Sequence, residues 1–272
     1  MKLRLNTNFH SALIGYTGFV GSNLMRQAGF THTFNSTNFK EMAGCGFDVV
    51  VCAGVSAAKY LANRDPVNDL RQIERLQEVL TSVRAGVFVL VSTIDAYHRP
   101  EQVVESDIPV LAGHHPYGVH RYLFERFVLN TFSNTMIFRL PGVFGPGLKK
   151  NVLFDLMHRE RLSEIHPEGQ FQWYPIDRLW HDIDRAADAG IDLLNLAVEP
   201  MVTSELVQRL FPDVRLDTKY SDPPRYDMWT SHAETLGGSG NYLMNKGDVF
   251  SHLAGFVSGQ PSSTSVFGKS GY

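Results

Sequence analysis

Three glycines in G-x-x-G-x-x-G spacing, Gly15, Gly18 and Gly21, stand between a short strand at 11–15 and an amphipathic segment at 19–28. Val20, Leu24 and Met25 share one face of that segment, the spacing of a helix. A strand that turns on glycine directly into a helix leaves few folds open. The first glycine allows a tight turn, the second lets an anion approach the main chain, and the third lets the helix pack close to the sheet. The helix start then points its unpaired N–H groups at the same spot. Such a turn at the head of a βαβ alternation predicts a pyrophosphate cradle built from Gly15, Tyr16, Thr17, Gly18, Phe19 and Val20, and therefore a bound dinucleotide.

The rest of the chain continues the alternation. Strands are expected at 31–35, 48–53, 86–92 and 135–140, with 48–53 apolar from Val49 on, as a strand buried on both faces should be. Helices are expected at 66–84, where Leu70, Ile73, Leu76, Val79 and Leu80 repeat at helical spacing, and at 117–131. This pattern predicts an α/β fold, a Rossmann-like doubly wound parallel sheet. After Pro141 the character changes. Gly142, Gly145, Pro146 and Gly147 mark a loop, followed by a helix at 151–161, shorter elements, a strand-like 193–197 and a helix at 203–210 with Thr203 as its cap. The expected organisation is a dinucleotide-binding domain over 1–145 with returning segments near 174–200. A small discontinuous substrate-binding part over 146–257 and a flexible Ser- and Gly-rich tail over 258–272 complete it.

Composition narrows the partners. Hydrophobic residues make up 43% of the 272, enough for a sizeable core, and the formal net charge is -3. No positive field invites nucleic acid or an anionic membrane, so phosphate binding must come from local geometry. No run of apolar residues is long enough to span a bilayer, and the start of the chain lacks the apolar stretch of a signal peptide. The two cysteines, Cys45 and Cys52, make neither a metal pattern nor a disulfide framework. A cytoplasmic protein without a bound metal is expected.

Further segments then match one family in order. Cys52-Ala53-Gly54 follows the third strand, Asp65-Pro66 opens the long helix, and Val91-Ser92-Thr93-Ile94-Asp95-Ala96-Tyr97 ends the fourth strand. Tyr117 lies 24 positions after Thr93. The run from Arg139 to Gly147 and the stretch from Tyr174 to Ile183 complete the series. With the G-x-x-G-x-x-G spacing, this order resembles the extended short-chain dehydrogenase/reductase superfamily over roughly residues 11–210. The resemblance implies an NAD(P)-dependent epimerase, dehydratase or ketoreductase acting on a nucleotide sugar or related carbonyl compound. It implies Thr93, Tyr117 and Arg121 as the catalytic set. Cys52, Ala53, Gly54, Val91, Ser92, Tyr117, Arg121, Pro141 and Val143 would face the cofactor, and Asp95, Asn151 and Arg178 the substrate. It also implies a homodimer, with the helices at 66–84 and 117–131 as candidates for the interface. Chemically, Tyr117 would move a proton far from its free pKa of about 10, helped by nearby positive charge. The Thr93 hydroxyl would bond the substrate oxygen more strongly as charge develops there.

Three departures matter. The family has Tyr-x-x-x-Lys, whereas this chain has Tyr117-Gly118-Val119-His120-Arg121. Arginine keeps a charge one turn from the tyrosine but does not relay a proton as lysine does. A working enzyme, a slow one, and a dinucleotide-binding sensor or assembly protein without turnover all stay open. Secondly, the asparagine expected seven positions after Pro66 is Ile73, with Gln72 beside it. Thirdly, no acid ends the second strand. Asn35, Ser36 and Thr37 stand there, with Lys40 close by, which favours NADP over NAD. Lys59 is read as a solvated lysine, His114 and His115 as residues of the site's rim, and Asp177 as the cap of a following helix. Trp173 and Tyr174 fit either a cleft wall or the core.

Overall fold

The computed structural model describes residues 9–217 and 222–259. Six strands form one parallel sheet in the order β2-β1-β3-β4-β5-β9. They are β1 (Ser11–Ile14), β2 (His32–Phe34), β3 (Gly46–Cys52), β4 (Arg84–Thr93), β5 (Thr135–Leu140) and β9 (Leu193–Asn195). Helices α1 (Phe19–Gln27), α2 (Lys59–Arg64), α3 (Pro66–Leu80) and α4 (Pro116–Thr131) connect the first five. Beyond β5 lie β6 (Gly142–Phe144), α5 (Val152–His158), β7 (Gln170–Phe171), β8 (Trp173–Pro175), α6 (Leu179–Ala189), β10 (Met201–Val202), α7 (Thr203–Leu210) and α8 (Lys246–Val257).

Strand β3 shows why the sheet must be covered twice. Val49 and Val51 join an apolar layer with Leu24 of α1 and Leu179 and Ile183 of α6. Val50 and Cys52 join another with Ile73, Leu76 and Leu80 of α3 and Phe124 and Val128 of α4. Alternation along a parallel strand therefore feeds two helical layers, which is the doubly wound arrangement. Cys52 is fully buried, and burial pushes its thiol up to about 12, so its side chain is core and only its backbone borders the crevice.

The chain runs from β1 outward to β2, then crosses to the other side of β1 as β3. Residues 39–42 of that crossover form one short turn of 3₁₀ helix whose Met42 is buried against the α3 layer. The common dinucleotide-binding order has a further strand outside β2; here β2 is the edge. The reversal places a switch point between β1 and β3, where ligands of such sheets bind beyond the strand ends.

Several boundaries differ from the sequence expectation. Helix α3 stops at Leu80 rather than 84: Val83 is buried at a helix-like interval, but Arg84 already pairs with Gly46 in the sheet. Helix α5 is shorter than 151–161, ending on left-handed Arg159. Val202, not Thr203, caps α7; the Thr203 hydroxyl donates instead to the Gly169 carbonyl at 2.8 Å. Arg178, not Asp177, precedes the first turn of α6, and no side chain caps it. Helices α2 and α8 were not anticipated. The first has only six residues; the second is capped by Asn245, whose side chain accepts from Asp248 N–H, and repeats Val249, Leu253, Phe256 and Val257 at helical spacing. Trp173 and Tyr174 are core residues. Outside the main sheet, β6 pairs with β8 and β7 with β10. Of the expected flexible tail, residues 260–272 lie outside the described residues. Among the described residues no helix is long and apolar enough to cross a membrane, and no group of side chains has a metal-ligating arrangement.

Candidate active site

The glycine turn sits at the switch point. Gly15 has φ +88°, and a Cβ there would lie 2.4 Å from the Ala53 carbonyl oxygen and 2.6 Å from Gly54 Cα. The loops after β1 and β3 thus touch through backbone. A Cβ on Gly21 would lie 2.1 Å from the Gly15 carbonyl oxygen, so this position lets α1 close on the turn. Gly18 differs: it is exposed, and a Cβ there would meet only the Gly15 carbonyl, at 3.3 Å. Helix α1 begins at Gly18 with no side-chain cap and no acid in its first turn. Its leading N–H groups and dipole are therefore left without a capping side chain or a first-turn acid, which fits a pyrophosphate. Tyr16 and Thr17 form the rim, and Phe19 and Val20 are half-buried in the first turn.

At the end of β2, Asn35 holds its own turn. Its Oδ1 accepts from Thr37 N–H at 2.8 Å and Thr37 Oγ1 at 2.7 Å, and its Nδ2 donates to the Tyr16 hydroxyl at 3.3 Å. Ser36 and Lys40 are exposed. This end of the site offers hydroxyl and amine donors and no carboxylate at the strand terminus.

The catalytic candidates gather beyond β4. The last residue of that strand, Thr93, accepts from Asp95 N–H at 3.2 Å, which turns the chain and holds Thr93 and Asp95 side by side at the strand end. Helix α4 delivers Tyr117 to it. His115 caps this helix, its Nδ1 accepting from Gly118 N–H at 3.0 Å, and Asn63 Oδ1 accepts from Tyr117 N–H at 3.0 Å. Gly118 is required here because a Cβ would fall 2.2 Å from the Asp95 carbonyl oxygen. Tyr117 is 6% exposed. Burial raises its pKa, Arg121 opposes that rise, Asp95 adds to it, and hydrogen bonding from Thr93 and the charge of Lys59 favour the phenolate.

Arg121 stands one turn from Tyr117, as its spacing implies, but is committed to an ion pair. It is 5% exposed, and its guanidinium lies 4.0 Å from the Tyr117 ring centroid, over the face rather than beside the hydroxyl. Both terminal nitrogens bond the Asp69 carboxylate, and Nη2 also donates to the Ser56 carbonyl at 2.6 Å. His120 Nδ1 stands 2.7 Å from the same carboxylate. Although burial opposes it, these bonds hold the Asp69 carboxyl below the usual range. The remaining donor of Arg121, Nε, is buried without a hydrogen-bond partner among the described residues.

Lys59 is not a solvated lysine. Its Nζ lies 2.6 Å from Asp95 Oδ1 and donates to the Tyr226 hydroxyl at 3.1 Å. His115 Nε2 is 3.8 Å from the same Asp95 oxygen, and burial together with the Lys59 charge pushes His115 down to about 4. Lys59, His115 and Tyr226 therefore complete the cluster around Thr93, Asp95 and Tyr117. Tyr226 comes from a stretch with no regular pattern, and the Lys59 helix is too short to read, so neither carried a sequence signal.

Other candidates are engaged elsewhere. The Ser92 hydroxyl donates to Glu125, whose carboxylate also takes Arg139 Nη2 at 2.6 Å and Nε at 3.1 Å. This ion pair is buried and runs on through Arg139 to the Tyr97 hydroxyl. An arginine inside the apolar run TMIFRL was its only sequence signal, since a buried charge requires a partner. Val91 is half-buried, Pro141 is buried, and half-buried Val143 gives its carbonyl to Asn151 Nδ2 at 2.9 Å. Asn151 also caps α5 through Phe154 N–H, so both ends of its amide are used within the chain. Arg178 pairs with Asp182 at 3.2 Å, and the Asp182 carboxylate also accepts from the Tyr174 hydroxyl.

No protein-family model matches the chain, and no curated protein matches it. Solved structures do. A UDP-glucose 4-epimerase from Thermotoga maritima, with UDP-glucose, is 16% identical with a TM-score of 0.66, covering 91% of this chain and 97% of that one. A UDP-N-acetylglucosamine 4-epimerase from Methanobrevibacter ruminantium M1, in complex with UDP-N-acetylmuramic acid, is 12% identical with a TM-score of 0.69, covering 93% and 98%. A dTDP-4-dehydrorhamnose reductase from Bacillus anthracis, in complex with NADP, is 12% identical with a TM-score of 0.70, covering 93% and 100%. The chain has the fold of these nucleotide-sugar epimerases and reductases across nearly its whole length.

Proposed function

We propose that this chain is an NAD(P)-dependent oxidoreductase or epimerase of the extended short-chain type, acting on a nucleotide sugar or related carbonyl compound. The observation that carries this reading is the meeting of Tyr117 and Thr93 beyond the end of β4, in a sheet whose switch point holds an uncapped helix over an open glycine turn. The dinucleotide supplies hydride chemistry when bound. Gly15 to Val20 would hold its pyrophosphate through main-chain N–H groups, and Ala53, Gly54, Pro141 and Val143 would border it. Tyr117 gives or takes the proton of the reacting hydroxyl, and the Thr93 hydroxyl bonds the same oxygen as charge gathers there. Asp95 belongs to the same cluster and would be the substrate-side polar group.

The absence of an acid at Asn35, with Ser36 and Lys40 exposed beside it, supports NADP as the preferred form. A homodimer through α3 and α4 has support in Leu123 and Leu129 of α4 and Val67 of α3, all exposed and apolar.

The test is turnover by purified protein. Reduced and oxidised nicotinamide dinucleotides would be offered with UDP-glucose, UDP-N-acetylglucosamine and a dTDP-4-keto sugar, following nicotinamide absorbance and product epimers. Tyr117→Phe is expected to lower kcat by about 10²-fold or more while dinucleotide affinity is kept. Tight dinucleotide binding without turnover, indifferent to Tyr117→Phe, would return the non-catalytic binding protein instead.

A further inference from the structure

The residue that could charge the pocket from α4, Arg121, is fixed. Its terminal nitrogens are taken by Asp69 and Ser56, and it faces the ring of Tyr117, not its oxygen. The cluster around Tyr117 nevertheless contains a second cation, delivered from the first residue of α2. Lys59 Nζ is fastened between Asp95 Oδ1 and the Tyr226 hydroxyl, the second of these coming from the far end of the chain. Asp95 connects this cation to the acid/base pair, since its own N–H is bonded to Thr93 Oγ1. We propose that Lys59, held by Asp95 and Tyr226, tunes the acidity of the Tyr117 hydroxyl by offsetting the Asp95 carboxylate, as a second cation beside the buried Arg121. Lys59 is thus a positioning residue for the acid/base step, and this rests on the reading of Tyr117 given above.

The physical reason is local. A carboxylate beside a phenol favours the protonated phenol, and an ammonium favours the phenolate. Asp95 favours the protonated Tyr117, and Lys59 paired to it offsets part of that field. Lysine suits this role because it is a compact ammonium on a flexible stem, whereas the planar guanidinium of Arg121 is committed to a two-pronged pair. The charged and titratable groups around Tyr117 are Arg121 on its own helix, with Asp69 of α3 behind it. His114 and His115 precede that helix, Asp95 follows β4, and Lys59 comes from α2 with Tyr226 against it.

The test reads Tyr117 directly and needs no substrate. Protein labelled with ¹³C at the tyrosine ring carbon bearing oxygen would be titrated by NMR, with Tyr117 assigned as the resonance missing from Tyr117→Phe. Lys59→Met is expected to raise the Tyr117 midpoint by about one unit or more, and Lys59→Arg to restore most of it. Asp95→Asn is expected to move it in the opposite direction. Opposite movement by two neighbouring variants is not produced by general loosening of the site. If neither variant moves the midpoint, or both move it the same way, the role assigned to Lys59 is wrong. That outcome stays distinct from failure of the enzyme reading, which is decided by turnover of Tyr117→Phe.

Discussion

Arg121 and Asp69 form a bidentate ion pair laid against the face of the Tyr117 ring, with Nη2 2.8 Å from Oδ1 and the guanidinium 4.0 Å from the ring centroid. Both partners are buried. Removing one leaves the other charge uncompensated in a poorly solvated place, which is the expensive way to break such a pair. Asp69→Ala is therefore expected to cost about 3–5 kcal/mol of stability, and the double change Asp69→Leu with Arg121→Met distinctly less. Urea unfolding of the three proteins measures this. A loss below about 1 kcal/mol in Asp69→Ala would show that water reaches the site and that the pair does not anchor α4 to α3.

Gly18 and Gly21 should fail differently. A Cβ at Gly21 collides with the Gly15 carbonyl at 2.1 Å, so Gly21→Ala must push α1 off the turn. It should lower stability by several kcal/mol, roughly the upper range for overpacked sites. Gly18→Ala meets only one atom, at 3.3 Å, and has extended backbone at the helix cap. Its thermal midpoint should stay near that of the parent, while dinucleotide affinity falls because the methyl occupies the space the pyrophosphate needs. Calorimetry paired with fluorescence titration of reduced dinucleotide separates the two. Equal loss of stability in both variants would contradict the separate roles.

Asn35→Asp should exchange cofactor preference. The carboxylate keeps the acceptor bonds to Thr37 N–H and Oγ1 and gives up only the donor to the Tyr16 hydroxyl, so the turn tolerates it. A carboxylate there repels a 2′-phosphate and accepts from a ribose 2′-hydroxyl. The Kd for NADP is expected to rise by about tenfold or more relative to that for NAD, about 1.4 kcal/mol. An unchanged ratio would place the 2′ position away from Asn35.

The sheet was legible because its elements carried local signals: the apolar run over 49–52 in β3, the helical period of α3, and the glycines between β1 and α1. The site was legible only where a motif fixed the backbone. Thr93 and Tyr117 meet because one ends a strand and the other opens a helix, and both positions can be read locally. Arg121 was placed correctly on the helix but not in its partnership, because Asp69 lies on another helix and no pattern connects the two. Lys59 and Tyr226 stand 167 positions apart and meet through a hydrogen bond and a shared Asp95 oxygen. Such a contact is set by how the later segments fold back over the sheet, information that no short window contains. Asn151 shows the converse. Its position suggested a substrate contact, yet its amide caps α5 and bonds Val143.

His115 ties acid sensitivity to the same helix. As the cap of α4 its Nδ1 must be unprotonated to accept the Gly118 N–H, and burial with the Lys59 charge pushes its pKa down to about 4 from an ordinary 6.5. A group held lower in the folded state contributes stability that is intact above about pH 6.5 and lost as pH falls toward about 4. His114, which burial also holds low, and Asp69, held low by Arg121 and His120, deepen the loss under acid. Asparagine is a good helix cap and does not titrate. The thermal midpoint of the parent should therefore drop more steeply between about pH 6.5 and about 4 than that of His115→Asn, with the curves converging in slope above that window. Parallel curves would mean that protonated His115 is accommodated without loss of the cap, and that the acid response arises elsewhere. The converse matters for the site: if the cap is lost, the first turn of α4 frays, and Tyr117 with it.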